Sequence, residues 1–189
     1  MTGRLDRAIA EETRARQLDP YSVSHNSMLG NTLVFAGRND EAIQQGRKML
    51  DLSSRDAHQV MGLAYEHKGD WQHAIPELQE MVKLSKDEPQ LPQGVADLAH
   101  AYAVFGRKQE ARQLLAQLME MSKKRFVPSW AFALINVGLG DKDRAFEWLD
   151  KAYDERPSDI MGIKVDPRMQ PLRSDPRYRE LLLRMGLPE

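Results

Sequence analysis

The chain has 189 residues, 41% of them apolar, and its 27 Lys and Arg nearly balance its 28 Asp and Glu, for a formal net charge of −1. That length suffices for a buried core, and the even charge excludes a protein built to grip nucleic-acid phosphates or to serve as an acidic tail. With no cysteine present, disulfide staples, thiolate metal sites and cysteine nucleophiles are excluded, and a cytoplasmic location is the default expectation.

From the amino end, residues 1–17 mix Arg4, Arg7, Arg14 and Arg16 with Asp6, Glu11 and Glu12 and contain no apolar core of the signal-peptide kind. Nowhere does an apolar run approach the ~18 residues of a membrane-spanning helix, so no membrane partner is expected. Leu (22) and Ala (18) outnumber Val, Ile and Thr together (18), and side chains unbranched at Cβ lose less rotamer freedom in helices. The expected class is all-α.

Five times a Gly is followed five residues later by an Ala: Gly3/Ala8, Gly37/Ala42, Gly69/Ala74, Gly106/Ala111 and Gly140/Ala145, at intervals of 34, 32, 37 and 34 residues. A Gly with positive φ ends one helix, and a small Ala lets the next approach it closely, so each pair predicts a helix-turn-helix corner. Apolar residues at helical spacing flank the corners. Leu29, Leu33 and Ala36, then Met61, Ala64 and Tyr65, then Leu98, Ala101, Tyr102 and Phe105, then Phe132, Ala133, Ile135 and Leu139 mark the first helices. Second helices follow from Ile43, from about residue 72 because of Pro76, from Leu114 and from Phe146, with Met49, Met81 and Met119 at core-like positions. Asp6, Asp40, Asp70, Asp141 and Asp143 stand where they are expected to cap helix starts.

These residues resemble the tetratricopeptide repeat (TPR), whose 34-residue unit reads W-x2-L-G-x2-Y followed by G, A, a bulky residue, A and P. The matches are Leu29, Gly30, Gly37 and Ala42; Gly62, Tyr65, Gly69, Ala74 and Leu78; Tyr102, Phe105, Gly106, Ala111 and Leu115; and Gly140, Ala145, Leu149, Ala152 and Pro157. The resemblance implies a right-handed superhelix of antiparallel helical hairpins in one domain, residues 1–189. Its parts are a half repeat at 3–20, four repeats at 23–54, 55–87, 92–124 and 126–157, and a carboxyl-terminal helical cap at 158–189. Glu12 and Gly46 occupy the bulky position in the two earliest units, which predicts loose packing there, and Glu88-Pro89-Gln90-Leu91-Pro92 predicts a lengthened linker. In the tail, Asp166-Pro167 and Ser174-Asp175-Pro176 read as helix starts, Tyr178, Leu181, Leu182 and Met185 as a helix, and Gly186 as its stop. The tail also resembles the carboxyl ends of bacterial multidomain signalling proteins, in which a TPR array follows an effector domain.

Chemistry is sparse. Glu66, His67, Asp70 and His73 straddle a predicted turn without the spacing of a metal motif, and a helix end, an N-cap and an exposed position account for them. Neither metal nor cofactor is expected. The basic run Lys123-Lys124-Arg125 fits a helix carboxyl end and predicts no nucleic-acid contact. A non-catalytic interaction module is therefore the leading expectation, ahead of a self-associating structural unit and, last, a metal-dependent enzyme.

By resemblance to the family, first helices line a concave groove that binds a protein or peptide. The residues so placed are Ser27 and Asn31, Asp56, Gln59 and Leu63, Gln93, Ala96 and His100, and Trp130 and Leu134. The family's clamp on a terminal carboxylate is matched only by Asn31. The groove is expected to turn apolar between His100 and Trp130, with Trp130 either an anchor for the partner or a core residue. The half repeat leaves one face of the amino-terminal helix to be covered either by an absent upstream helix or by a second copy, so a homodimer there and a monomer both stay open.

Overall fold

In the computed structural model the chain divides into two compact units, Met1–Glu88 and Pro89–Glu189, where the sequence predicts one continuous domain. The structure describes residues 2–86, 88, 91–155 and 157–187. Among these every regular element is helical. The first unit runs α1 (Thr2–Leu18), α2 (Val23–Phe35), α3 (Asn39–Met49), α4 (Ser54–His67) and α5 (Trp71–Leu84). The second runs α6 (Leu91–Val104), α7 (Lys108–Ser122), α8 (Ser129–Leu139), α9 (Lys142–Glu155), 3-10 segments at Pro157–Lys164 and Pro167–Leu172, and α10 (Pro176–Arg184). Within each unit sequential helices pack on one another, and first helices also meet directly, α2 with α4 and α6 with α8.

Four of the five predicted corners form, and they share one geometry. At Gly37, φ is +73°, Arg38 N–H donates to the Leu33 carbonyl at 2.9 Å and Gly37 N–H to that of Val34 at 3.0 Å. This is the paired bonding that closes a helix through a left-handed residue. Gly140 repeats it at φ +81°, with Asp141 bonded to Asn136 at 3.0 Å, and Gly69 and Gly106 follow suit. The paired alanines Ala42, Ala74, Ala111 and Ala145 are all fully buried. Gly3 is the exception, because α1 has already begun at Thr2 and carries Gly3 in its first turn.

Capping follows two designs. Asp70 accepts from the His73 N–H at 3.3 Å, and Asp141 from that of Arg144 at 3.1 Å. At the α3 and α7 starts the cap residue is instead an arginine, Arg38 or Arg107, paired with the acid three residues on, Glu41 or Glu110. The expected caps Asp6, Asp40 and Asp143 serve otherwise. Asp6 lies within α1, Asp40 pairs with Lys68, and Asp143 accepts from Arg177 at 2.8 Å. Pro89 and Gln90 of the predicted linker lie outside the described residues.

Two packing expectations are corrected. Gly46 does not loosen the early repeats, since a Cβ there would lie 2.5 Å from Met61 Cγ. Its missing side chain is what admits Met61, and with it α4, against α3. Met119 is 47% exposed while its neighbour Leu118 is fully buried, because adjacent residues point about 100° apart around a helix. Met49 and Met81 are core residues as expected.

The predicted tail helix is α10, capped by Asp175, which accepts from Arg177 N–H at 3.0 Å, and closed by Gly186 at φ +68°. Ahead of it, the segment after Asp166 is 3-10, with Asp166 as its N-cap. Ile160, Ile163, Met169 and Leu172 are fully buried, and Tyr178 donates to the Ile163 carbonyl at 2.8 Å. Arg177 grips Asp175 with two bonds of 2.9 and 3.0 Å, which pulls the carboxyl from its ordinary 3.8 down to about 2. A depressed carboxylate contributes stability that is present above its unfolded pKa and lost as protons return. Stability is therefore expected to fall between about pH 4 and pH 2, and Asp175→Asn should flatten that part of the profile in denaturation titrations.

Candidate partner-binding site

The residues expected to line a groove fall into two groups with different surroundings. In the first unit, Gly30 lets α2 close on α4, for a Cβ there would lie 2.7 Å from Val60 Cγ2. Ser27 and Asn31 stand one turn apart on α2, and Gln59 and Leu63 one turn apart on α4. Ser27, Asn31 and Gln59 are half-buried and Leu63 is buried. The Ser27 hydroxyl is shielded and has no hydrogen-bond partner among the described residues. Asp56 is occupied within its own helix start, accepting from Ser53 Oγ at 2.9 Å and pairing with Arg55. The unit thus carries four of the expected residues on two neighbouring first helices, three of them polar and half-buried and one aliphatic and buried.

In the second unit the expected lining is interior. Ala96 and Leu134 are fully buried, His100 is 4% exposed and Trp130 is 8% exposed. The tail lies against both helices. The segment Pro167–Leu172 packs on α8, and its Arg168 reaches α6, donating to Asp97 Oδ1 at 2.7 Å. Gln93, another expected groove residue, spends its amide on the same carboxylate at 3.0 Å. Close helix packing adds to this, since a Cβ on Gly138 would meet His100 Cδ2 at 3.0 Å. These four side chains are buried in this structure, which for Trp130 is the core alternative that the sequence left open.

Arg168 sits between two acids. It donates from Nε and NH2 to Asp166 at 2.7–3.1 Å and from NH1 to Asp97, with all three side chains at most 7% exposed. Sequence reasoning missed this pairing across 71 positions, although an Asp inside the apolar run of α6 was a signal that a cation must meet it.

A second feature missed in the sequence lies in the first unit. Asn26 and Gln45 are buried amides, at 5% and 4% exposure. Asn26 Nδ2 donates to the Pro20 and Ser22 carbonyls, each at 2.9 Å, and Asn26 Oδ1 accepts from Gln45 Nε2 at 2.9 Å. Gln45 Oε1 accepts in turn from Arg16 at 3.3 Å. Polar residues at helix positions that periodicity assigns to the core were the available sign.

Two of the histidines meet acids. Asp70 is committed to capping and to the His73 ring at 2.8 Å, and His58 meets Glu77 at 2.6 Å. Among the described residues, no group of three or more His, Asp or Glu is placed to hold a metal ion, and no helix is long and apolar enough to cross a membrane.

Residues 96–160 match the family model for the tetratricopeptide repeat. No curated protein matches the sequence. Among solved structures, TTC0263, a thermophilic TPR protein in Thermus thermophilus, is similar over 97% of this chain and 90% of its own, at 20% identity and a TM-score of 0.62. YrrB, a TPR protein with an unusual peptide-binding site, aligns over 86% of this chain and 83% of its own at 23% identity and a TM-score of 0.48. With the glycine corners and paired helices described above, the match and the likeness to TTC0263 identify this chain as a protein of tetratricopeptide repeat fold, its family sequence signature carried by residues 96–160.

Proposed function

We infer that this protein is a non-catalytic interaction module, a scaffold or sensory part of a bacterial regulatory system, that holds an extended partner segment on the first-helix face of its amino-terminal unit. Repeat folds of this kind present adjoining helix faces as binding surfaces. What supports this location is the contrast between units. On α2 and α4, Asn31 and Gln59 stay partly exposed, whereas Ala96, His100, Trp130 and Leu134 on α6 and α8 are buried. Half-buried amides beside an aliphatic side chain suit a segment that offers backbone hydrogen bonds and a medium-sized apolar residue.

The test begins with a random peptide library selected against the full chain. A selected peptide is then titrated against the Asn31→Ala/Gln59→Ala variant. Affinity should fall about tenfold or more, ~1.4 kcal/mol, while the circular dichroism spectrum is unchanged. Gln93→Ala, on the covered face, should leave affinity alone. Selected peptides indifferent to the α2/α4 substitutions would place binding elsewhere and defeat this reading.

A further inference from the structure

α1 and α3 both pack on α2, and between them opens a cleft of about 320 Å3 lined by Ile9, Thr13, Leu29, Leu33 and the side chains of its rim. Ile9, Leu29 and Leu33 are 7%, 5% and 5% exposed, so the floor is aliphatic. The rim holds three cations, Arg16, Arg38 and Lys48, against one acid, Glu41, together with the amides of Gln44 and Gln45. Glu41 is already taken, because Arg38 Nε and NH2 each donate to it at 2.6 Å. Arg16 and Lys48 therefore face the mouth with no other acid in its lining.

Arg16 is also held in place. The Asn26–Gln45 relay is anchored at the Pro20 and Ser22 carbonyls and ends on its guanidinium. Burying two amides is unfavourable unless both are satisfied, and here their satisfaction fixes a cation at the edge of an aliphatic cavity. A positioned cation beside a concave apolar wall is how small-ligand sites orient an amphiphilic guest. The size lies at the low end of such sites, about 300–1,000 Å3, which suits a compact ligand.

We propose that this cleft binds a small aliphatic carboxylate, its alkyl body on Ile9, Leu29 and Leu33 and its carboxylate between Arg16 and Lys48. The site is separate from the α2/α4 surface assigned to the partner segment, and each assignment stands or falls without the other. Guanidinium and ammonium bonds to a carboxylate are the stronger, charge-assisted kind, so head group and body both contribute.

Isothermal titration of the full chain with octanoate, octylammonium and acetate separates these contributions. Octanoate should bind saturably at millimolar concentration or below, with octylammonium and acetate each weaker by about tenfold or more. Arg16→Gln/Lys48→Gln should weaken octanoate by a similar factor. Thr13→Trp, which fills the cleft from α1 and leaves both cations in the sequence, should abolish binding and supplies the test should the first variant fail to fold. The proposal is overturned by octylammonium binding as well as octanoate, by variants that keep wild-type affinity, or by the absence of saturable octanoate binding. It is equally overturned if a short peptide ending in leucine binds the cleft more tightly than octanoate, since the natural occupant would then be a chain end.

Discussion

Replacing Arg168 with methionine is expected to destabilise the fold by about 3–5 kcal/mol, the range for breaking a buried ion pair by removing one partner. The guanidinium stands between Asp97 and Asp166, whose side chains are 1% and 3% exposed, and is itself only 7% exposed. Deleting it leaves two buried carboxylates without their cation, and each must then stay charged on its remaining hydrogen bonds or take up a proton. Because Asp166 also caps the Pro167–Leu172 segment through the Arg168 N–H at 2.9 Å, the backbone bond survives the substitution while its charge balance does not. Denaturant unfolding should show the loss in the midpoint. A second substitution, Asp97→Asn, should restore part of it, since one of the stranded charges is gone, and the double-mutant cycle should show strong coupling. A loss below about 1 kcal/mol, the scale of an exposed pair, would mean the triad is solvated.

Trp130→Ala is expected to cost about 3–5 kcal/mol in stability, as for a large aromatic deleted from a core. The indole is 8% exposed on a helix whose Ala131, Ala133, Leu134 and Ile135 are fully buried. An anchor for a partner would show another pattern, with folding nearly unchanged and affinity lower by ~2 kcal/mol or more. Thermal and chemical unfolding of the variant distinguish the two, and a stability change under about 1 kcal/mol would return Trp130 to the surface.

The hairpins were legible because their determinants are local. A glycine at each corner and an alanine five residues on place a left-handed turn and a close contact within six residues, and Gly37, Gly69, Gly106 and Gly140 all adopt the positive φ expected of them. Gly3 carries the same sequence mark without the same structure, since it lies inside the first turn of α1. The candidate site was less legible, because accessibility is set by distant segments. Asp97 in the apolar run of α6 announces that a cation must meet it, but nothing near Ala96, His100, Trp130 or Leu134 announces that residues 167–172 pack on α8 or that the cation is Arg168, 71 positions on. The relay from Asn26 through Gln45 to Arg16 was hidden for a related reason. Each residue reads as an ordinary polar side chain, and only the stacking of three helices joins them.

At Gly37 and Gly140, a Cβ built on the backbone would meet no atom within 4 Å. Space is therefore not what keeps side chains out of these corners. Handedness is, for a left-handed backbone sets an L side chain against its own carbonyl and leaves a mirror-image one unstrained. A chain made by chemical synthesis with D-alanine at these two positions would keep every hydrogen bond of the turn and have fewer conformations to give up on folding. The bends of this repeat architecture are thus specified by stereochemistry alone, and they mark the places where the protein would accept an amino acid that the ribosome does not ordinarily supply.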